Sequence, residues 1–440
     1  LSGPVLGATT NMYYVNGANG TPASPYMSWG DAATNIQDAV TRAEMDYGAG
    51  TNCIVTVTDG VYVISTQIVI AQAISVVSVN GKTNTLIKGN YPSSTNRCLN
   101  ITGNALVDGF TITNGYVTGA NGGGVLMSAG RVHNCTITRD FSEDGCGVYM
   151  TGGVVSNCVI SRNQSTLTTG LGGGAYMANA SVVTHCTISD NNVGTGSGSG
   201  GAGVYVSGAG KVLSSTITKN TARKNSGVSF SSSGGFIADS TISSNVSTAG
   251  GGGAGVCLDG GTTASNCTIF GHQDFPCLAF SSGGTALRCI IASNSSDTCV
   301  VDMNNGVLRN CLIMGNTGTG QGAVSMVDNG TIENCTVVRN QAGTKGGGLY
   351  ITVPDATIRN NIIYDNDAPV SNNWFFSSPG SGTITYNCST PLLTGTSNID
   401  VDPLFANTGS GYGTSAILGD YSLHSNSPCI DTGINLAWMT

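Results

Sequence analysis

The sequence predicts an all-β chain that winds into a single-stranded right-handed parallel β-helix of about 13 coils, with a helix that caps its N-terminal end. Two observations predict this solenoid. A short motif typified by Cys-Thr-Ile-Thr returns at 13 positions between residues 85 and 388, about every 25 residues. A glycine-rich phrase such as GGGVLM at Gly122 keeps step with it, and the Cys position follows the glycines after 10 to 12 residues. Repeats of this length are typical of solenoids, because one repeat cannot bury an apolar face alone.

Each repeat contains three short alternating runs that predict strands. In one repeat the runs are Val148 to Met150 after the glycines, Val154 and Val155 before an Asn-Cys pair, and the stretch that begins at Cys158. Alternation over three to five residues, with glycine and asparagine turns between, is typical of short strands. Strands of neighbouring repeats then pair about 4.8 Å apart. Helical or leucine-rich repeats are disfavoured, because scarcely any Glu, Lys or Leu occurs in the repeats.

Asparagine and cysteine recur together where the second run ends and the third begins. Alternation puts Cys135 and Ile137 on one face, so we expect the cysteines to point inward and to stack as a column of mostly reduced thiols. Thiols on successive parallel strands point the same way, which is a poor geometry for disulfides. The preceding asparagines suit a tight corner, because Asn tolerates the left-handed backbone and its amide bonds to neighbours. The predicted structural ladder consists of Asn134, Cys135, Asn157, Cys158, Cys186, Asn266, Cys267, Cys289, Asn310, Cys311, Asn334 and Cys335.

The N-terminal part of the chain predicts an amphipathic helix between Ser28 and Met45. Its apolar residues recur at helical spacing, namely Ala32, Ile36, Ala39, Val40 and Ala43. We expect this helix to cover the open end of the first coil, since an uncovered solenoid edge invites strand pairing with other chains. The predicted division is an N-terminal segment with the capping helix (1–52), the β-helix (53–388) and a C-terminal cap (389–440).

Composition excludes several partners. Charged residues make up 9% of the 440 residues, against about 25% in an ordinary soluble domain. The net charge is -8 and the chain has only six lysines, so no basic stripe is available for nucleic acid or for an anionic membrane. No run of 18 apolar residues predicts a transmembrane helix. Without a CxxC or a Cys/His cluster, the sequence predicts no metal site and no cofactor.

Two compact acidic groups are the candidates for acid-base chemistry. They are Asp365 with Asp367, and Asp140 with Glu143 and Asp144. A polysaccharide hydrolase needs two carboxylates about 5 to 10 Å apart on one face. Both groups lie in predicted loops, where solvated turn residues are the simpler interpretation, so no catalytic residue is assigned.

Other polar features have a structural and a functional interpretation. Asp400 and Asp402 are candidates for Ca²⁺, with turn capping as the simpler role. A surface of ordered hydroxyls suits ice or a mineral, although Thr is also a good solvent-facing strand residue. That predicted threonine ladder consists of Thr111, Thr113, Thr136, Thr138, Thr187, Thr216, Thr218 and Thr241.

The chain resembles the bacterial right-handed parallel β-helix repeat proteins, in particular those with a choice-of-anchor domain. The resemblance is carried by the opening YYVNGANGTPASPYMSWGDAATNIQDAV from Tyr13, by the NCTIT coils, and by the closing DPLFAN from Asp402 with GDYSLHSNSPCIDTG from Gly419. It implies a secreted or cell-surface, extracellular protein. It also implies a shared scaffold with pectin- and alginate-degrading enzymes, whose catalytic residues have no matching position here.

These observations lead to a ranked set of functions. The first is a non-catalytic extracellular structural protein or adhesin that associates with itself as a homo-oligomer or filament, forming a fibre, sheath or surface layer. The alternative is a polysaccharide lyase or glycoside hydrolase that acts on an extracellular glycan. A second alternative is an ice or mineral surface binder that uses the threonine ladder.

Overall fold

The computed structural model describes residues 9–48, 51–232, 234–249, 252–377 and 382–436. The chain divides into two compact units, residues 1–215 and residues 216–440, called unit 1 and unit 2 below. The predicted segment boundaries at residues 52 and 388 stay a prediction. In the described residues no helix is both long and apolar enough to cross a membrane.

The predicted fold class is confirmed: the chain is an all-β, parallel, right-handed solenoid of about 13 coils with one helix near its N-terminal end. A coil contributes one strand to each of three sheets. The first sheet takes the strand after the glycines, the second sheet the strand before the Asn-Cys corner, and the third sheet the strand after it. Pairing is parallel and in register, as in Val125 with Val148 in the first sheet and Ile137 with Ile160 in the third.

Unit 1 contains the helix Ile36–Asp46 and the following strands. The first sheet has Ile68–Ile70, Leu99–Ile101, Val125–Met127, Val148–Met150, Ala175–Ala178 and Val204–Ser207. The second sheet has Thr9–Val15, Thr51–Val57, Ser75–Ser78, Leu106–Asp108, Arg131–His133, Val154–Ser156, Val182–Thr184 and Lys211–Leu213. The third sheet has Gly60–Ile64, Thr85–Gly89, Thr111–Thr113, Thr136–Thr138, Val159–Ser161 and Thr187–Ser189. A short additional pair is formed by Phe141–Ser142 and Gln164–Ser165.

Unit 2 repeats this arrangement. Its first sheet has Val228–Phe230, Val256–Leu258, Leu278–Phe280, Val301–Met303, Val324–Met326, Leu349–Ile351 and Trp374–Phe376. Its second sheet has Phe236–Ala238, Thr263–Ser265, Thr285–Leu287, Val307–Arg309, Thr331–Glu333, Thr357–Arg359 and Thr383–Thr385. Its third sheet has Thr216–Thr218, Thr241–Ser243, Thr268–Phe270, Ile290–Ala292, Leu312–Met314, Thr336–Val338, Ile362–Tyr364 and Cys388–Ser389. Short additional strands are Thr221–Ala222 with Val246–Ser247, and Ser295–Ser296 with Thr317–Gly318 and Gln341–Ala342; the antiparallel pair Phe405–Asn407 and Asp420–Leu423 and the 3₁₀ turn Gly413–Ser415 follow.

The N-terminal helix is shorter than the predicted range. It begins at Ile36, because the Asn35 side chain caps it by accepting a hydrogen bond from the Asp38 backbone N–H at 2.9 Å. Its apolar face is buried at Ile36, Ala39, Val40 and Ala43, and the helix packs against the first strands of unit 1. Its packing therefore follows the predicted apolar pattern, with a start set by the cap.

The chain that follows the last coil of unit 2, which includes the pair Phe405–Asn407 and Asp420–Leu423 and is called the C-terminal segment below, lies on the outer face of the third sheet. Outward positions that carry Thr in other coils are apolar here, and Ala292, Met314 and Val338 form a buried cluster with Phe405 of the antiparallel pair. Tyr421 packs against the same cluster, edge-on to Phe405. This packing brings the tip of the segment, with Tyr412, beside the corners that follow the third sheet.

Candidate active site

A groove opens in unit 2 where the chain leaves the third sheet. One cavity, of about 500 Å³, is lined by Thr317, Gly318, Thr319, Gln341, Ala342, Gly343, Asp367, Ala368 and Pro369. A second, of about 470 Å³, is lined by Tyr364, Asp365, Asn366, Asn372, Asn373, Thr390 and Pro391. The two cavities adjoin along the chain, because residues 364–366 line the second and residues 367–369 line the first; together we call them the acidic groove. Hydroxyl, amide and carboxylate groups converge in it, which are the groups that bind sugar hydroxyls.

Asp365 enters the groove from a corner of the coil. Its backbone is left-handed, with φ 53°, as is that of Arg339 at the equivalent corner one coil earlier. Because equivalent positions stack, the Arg339 guanidinium reaches Asp365 and forms an ion pair at 3.1 Å. The Asp365 side chain is 40% exposed and the Arg339 side chain 20%. The carboxylate is therefore accessible to a ligand while its partner is mostly covered.

Asp367 follows two residues later and has a different environment. Its carboxylate accepts a hydrogen bond from the neutral Gln341 amide at 2.9 Å. The residue between, Asn366, points inward and is buried. Two residues of chain span at most about 7 Å between Cα atoms, so Asp365 and Asp367 are neighbours on one corner of the coil. The first predicted acidic group therefore lies along the acidic groove, with Asp365 lining one cavity and Asp367 lining the adjoining one.

Arg339 and Tyr412 complete the groove. The guanidinium of Arg339 lies over the Tyr412 ring, 5.4 Å from its centroid. Burial lowers the pKa of Arg339, but the hydrogen bond and charge of Asp365 outweigh it, so the net shift is upward. Burial raises the pKa of Tyr412, and the charges of Asp367 and Asp365 raise it further against the opposing effect of Arg339. Within the described residues, the buried Nε of Arg339 has no hydrogen-bond partner.

Asp400 and Asp402 lie near the groove but have turn contacts of their own. Asp400 accepts a hydrogen bond from the Thr390 hydroxyl at 2.5 Å, and Asp402 accepts one from the Leu404 backbone N–H at 2.8 Å. Burial raises the pKa of Tyr364, and the charge of Asp402 adds to that shift. Among the residues that the structure describes, no cluster of His, Cys, Asp and Glu side chains suits a metal ion.

The second acidic group is divided by the fold. Asp140 is fully buried in the interior of unit 1, where burial raises the pKa of its carboxyl well above the usual range. Asp144 is half-buried and accepts a hydrogen bond from the Leu171 backbone N–H at 2.8 Å. Burial also raises the pKa of Asp144, and the charge of Glu143 adds to it. Asp140 and Asp144 therefore do not share one accessible face.

The cysteines of the predicted ladder stack inside the coils. The Cys135 backbone N–H donates to the Sγ of Cys158 at 3.3 Å, and the Cys311 N–H donates to the Sγ of Cys335 at 3.4 Å. The ladder asparagines Asn134, Asn157, Asn266, Asn310 and Asn334 have left-handed backbones, with φ between 48° and 54°. The cysteine column ends after Cys335, because the equivalent inward position of the next coil is occupied by Asn361. The side-chain oxygen of Asn361 accepts a hydrogen bond from the Cys335 N–H at 2.8 Å.

The threonine ladder is interrupted in unit 1. Thr136 pairs with Thr111 on one side but with Val159 on the other, and Val159 pairs with Thr187. In the coils of unit 2 that the C-terminal segment covers, the outward positions are apolar. The column through Thr136 is therefore broken by a valine, whereas the column through Thr138 continues with the hydroxyls of Ser161 and Ser189.

Three groove residues were missed from the sequence. Arg339 and Gln341 flank a buried asparagine in their coil just as Asp365 and Asp367 do in the next one, so the fifth and seventh positions of the motifs CTVVRNQ and NIIYDND carried a signal. Tyr412 had no such signal, because the contact between the C-terminal segment and the third sheet spans a long stretch of sequence.

The family model for the right handed beta helix region matches residues 195–326 and 226–402. This match agrees with the parallel coils described above. No curated protein matches the sequence.

Three similar solved structures are catalytic domains of glycan-acting enzymes. The catalytic domain of Agl-KA has 13% identity and a TM-score of 0.42, over 87% of this chain and 69% of that one. The catalytic domain of a GH87 alpha-1,3-glucanase in complex with tetrasaccharides has 11% identity and a TM-score of 0.37, over 87% and 71%. The same domain in complex with nigerose has 14% identity and a TM-score of 0.36, over 87% and 70%.

These comparisons correct the first-ranked function. The prediction of a non-catalytic structural or adhesive protein that associates into a fibre, sheath or surface layer is wrong, because the similar solved structures are catalytic domains. With identities of 11 to 14%, the chemistry of this chain has to be inferred from its own side chains.

Proposed function

We propose that the protein is a glycoside hydrolase that binds an extracellular glycan in the acidic groove and cleaves it with Asp365 and Asp367. The observation that carries the proposal is the pair of carboxylates two residues apart in one groove with unlike partners. Asp365 is ion-paired with Arg339, whereas Asp367 receives a hydrogen bond from the neutral Gln341 amide. Glycoside hydrolysis needs two carboxyl groups whose environments separate their roles.

The two environments assign the two roles. Asp365 carries its negative charge beside Arg339 and serves as the nucleophile or as the base that activates water. Asp367, whose neighbour is neutral, serves as the acid that protonates the glycosidic oxygen of the leaving sugar. In both forms of the reaction the proton lost by the acid is restored from water, so the carboxyl groups are regenerated.

The remaining groups of the groove bind and orient the sugar. Thr317, Thr319 and Asn372 supply hydroxyl and amide groups along the two cavities. Tyr412 adds an aromatic ring at the edge, on the side from which the C-terminal segment approaches.

A hydrolase fits this groove better than a lyase. A lyase removes a proton next to a uronate carboxylate and needs a basic side chain to accept it. Among the described residues, the basic side chain beside the groove is that of Arg339. It is already ion-paired with Asp365 and is therefore not free to accept a proton. The neighbouring carboxylates of Asp365 and Asp367 would also repel a uronate.

The extracellular location and the choice-of-anchor relationship belong to the same proposal. Their support is the closing pair of motifs, DPLFAN from Asp402 and GDYSLHSNSPCIDTG from Gly419. A polymeric glycan as substrate agrees with an open groove rather than an enclosed pocket.

The proposal is tested by changing each carboxylate to its amide. We expect Asp365→Asn and Asp367→Asn each to lower the release of reducing ends from neutral polysaccharides by at least about a hundredfold, the usual contribution of a positioned acid or base. The control is Asp328→Asn, which changes an exposed carboxylate in a turn of the same unit and should retain full activity.

The panel should contain α- and β-linked glucans, mannan and xylan, with product length followed by chromatography. Thermal unfolding midpoints of the variants that equal the midpoint of the wild-type protein would show that the fold is intact. Release of no sugar from any member of the panel, or full activity in both groove variants, would contradict the proposal.

A further inference from the structure

Two thiols near the C-terminal end lie outside the stacked cysteine column. Cys388 belongs to the last strand of the third sheet and is buried, whereas Cys429 follows the antiparallel pair. Cys429 is the only one of the 15 cysteines, all within the described residues, that is not buried. Although they are far apart in sequence, the two thiols are close enough for each to shift the pKa of the other.

Hydrogen bonds hold both cysteines near the same stretch of backbone, residues 401–403. The Cys388 thiol donates to the Val401 carbonyl at 3.3 Å. The Ser427 hydroxyl donates to the Pro403 carbonyl at 2.6 Å, and the Cys429 N–H donates to the Ser427 hydroxyl oxygen at 3.2 Å. These contacts hold Cys388 and Cys429 on converging segments.

The cysteine column has a different geometry. Cys311 and Cys335 lie on neighbouring parallel segments, with the Cys311 N–H donating to the Cys335 sulfur and the Cys311 thiol donating to the Ala286 carbonyl at 3.5 Å. Side chains at equivalent positions of parallel strands point the same way, which opposes the dihedral angle of a disulfide. Cys388 and Cys429 lack this constraint, because no strand pairing joins their segments.

We propose that Cys388 and Cys429 form a disulfide bond under oxidising conditions, and that this bond fastens the segment 389–428 to the coils of unit 2. The segment contains Phe405, which packs on the third sheet, and Tyr412, which lies at the acidic groove. One consequence rests on the proposed function: the bond keeps Tyr412 in place beside the groove that binds the glycan. The other 13 cysteines stay reduced.

The oxidation is balanced by a low-molecular-weight disulfide such as oxidised glutathione. The Cys429 thiolate attacks one glutathione sulfur and releases one glutathione thiolate, which takes up the proton lost by Cys429. The Cys388 sulfur then attacks Cys429, breaks the mixed disulfide and releases the second glutathione as its thiol. Cys429 reacts first because it is more exposed, and the hydrogen bond from Cys388 lowers the pKa of its thiol.

The bond is tested on the wild-type chain by mass spectrometry. The protein is incubated with oxidised glutathione, unfolded in an alkylating reagent, and digested. We expect a cross-linked peptide pair that contains Cys388 and Cys429, a loss of about two mass units from the whole chain, and alkylation of the remaining 13 cysteines. Alkylated Cys388 and Cys429, or a cross-link between members of the column, would overturn the proposal.

A stability measurement tests the fastening. Oxidised wild type should unfold several degrees higher than protein kept in a phosphine reductant, since the bond restricts the unfolded chain. The variant Cys429→Ser should show no such difference, whereas Cys146→Ser, which removes a buried thiol of unit 1, should keep it. An equal difference in Cys429→Ser would contradict the proposal. Because no readout is enzymatic, failure of the bond leaves the hydrolase proposal standing, and an inactive protein leaves the bond standing.

Discussion

Asp140 occupies a place that asparagine occupies in the following coils of unit 1. In those coils the Asn163 side-chain amide donates to the Ile137 carbonyl at 3.2 Å and to the Asn191 side-chain oxygen at 3.0 Å. Asp140 accepts the Gly115 N–H at 2.8 Å through one oxygen, while its other oxygen, in the position of the amide nitrogen, has no partner among the described residues. In the next coil the equivalent Asn163 nitrogen donates to a carbonyl oxygen, so an ionised carboxylate oxygen at this place would face another acceptor. We therefore expect the Asp140 carboxyl group to carry a proton, in line with its raised pKa.

Replacing this acid by the amide should stabilise the protein. Because the folded-state pKa of Asp140 is raised above the unfolded value of about 3.9, its contribution to stability is full below pH 4 and is lost as the pH rises. We expect Asp140→Asn to increase the free energy of unfolding at pH 7 by about 2 kcal/mol, the order of one buried unsatisfied group. Urea unfolding at pH 4 and pH 7 measures it.

The matched control for this prediction is Asp190→Asn, an exposed aspartate at a left-handed corner of the same unit. It should change the free energy of unfolding by less than about 0.5 kcal/mol at either pH. If Asp140→Asn leaves the difference between pH 4 and pH 7 as in wild type, Asp140 is ionised in the folded protein and the interpretation fails.

At the scale of the element, the buried asparagine ladder of unit 2 holds successive coils together. The Asn316 oxygen accepts from both the backbone and the side chain of Asn294, and its amide donates to the Ile291 carbonyl and to Asn340. The ladder runs at the sixth residue of each motif, as in CLIMGN. The residues that form it are Asn220, Asn245, His272, Asn294, Asn316, Asn340 and Asn366.

The substitution of histidine in this ladder makes unit 2 sensitive to acid. His272 donates through Nδ1 to the Asn294 oxygen at 3.1 Å, and its Nε2 accepts from the Asn245 amide at 3.4 Å. A second proton on Nε2 would face an N–H donor. Burial accordingly lowers the pKa of His272 to about 4. Its contribution is present above the unfolded value of about 6.5 and is lost as the pH falls towards 4.

We therefore expect wild-type protein to lose about 3 kcal/mol of unfolding free energy between pH 7 and pH 4 through His272 alone. His272→Asn should remove this part of the pH dependence. His424→Asn, which changes an exposed histidine of the same unit, should retain it. Thermal unfolding of unit 2 across this pH range, followed by calorimetry, provides the measurement, and equal slopes in wild type and His272→Asn would contradict the explanation.

The sequence predicted the coils because one physical requirement recurs in each of them. Every coil needs inward apolar residues at alternate positions and a residue that tolerates a left-handed corner, so Ile137 and Asn134 have counterparts along the chain. It did not reveal the buried amide ladder, since a corner and an interior slot are both occupied by Asn. Near Cys388 the corner moves to Tyr386 and Asn387 takes the interior slot, a shift that the letters NC conceal.

At the scale of the whole molecule, contacts between distant segments limited what the sequence could predict. The loss of threonine at Ala292 and Met314 marks the face covered by the C-terminal segment, but apolar outward residues do not specify what covers them. The groove depends on that segment through Tyr412 and on two successive coils through Arg339 and Asp365. Of the candidate site, the sequence therefore provided the two carboxylates and not their partners.

The charge of the whole chain predicts which glycans it accepts. The net charge of -8, with 16 basic against 24 acidic residues, gives any polyanion an unfavourable approach, and the carboxylates of the groove add to it within a Debye length of about 8 Å at physiological salt. An uncharged glycan has no such penalty. We expect sugar release from a neutral glucan to be unchanged when polygalacturonate or alginate is added in tenfold excess by mass at about 0.15 M salt. Neither polyanion should yield products with an unsaturated sugar.

The control competitor is a chemically reduced, uncharged form of the same polygalacturonate, which should inhibit if the groove accepts its linkage. Inhibition by the polyanion that weakens as salt is raised would show that a cationic surface binds it, contrary to the charge argument.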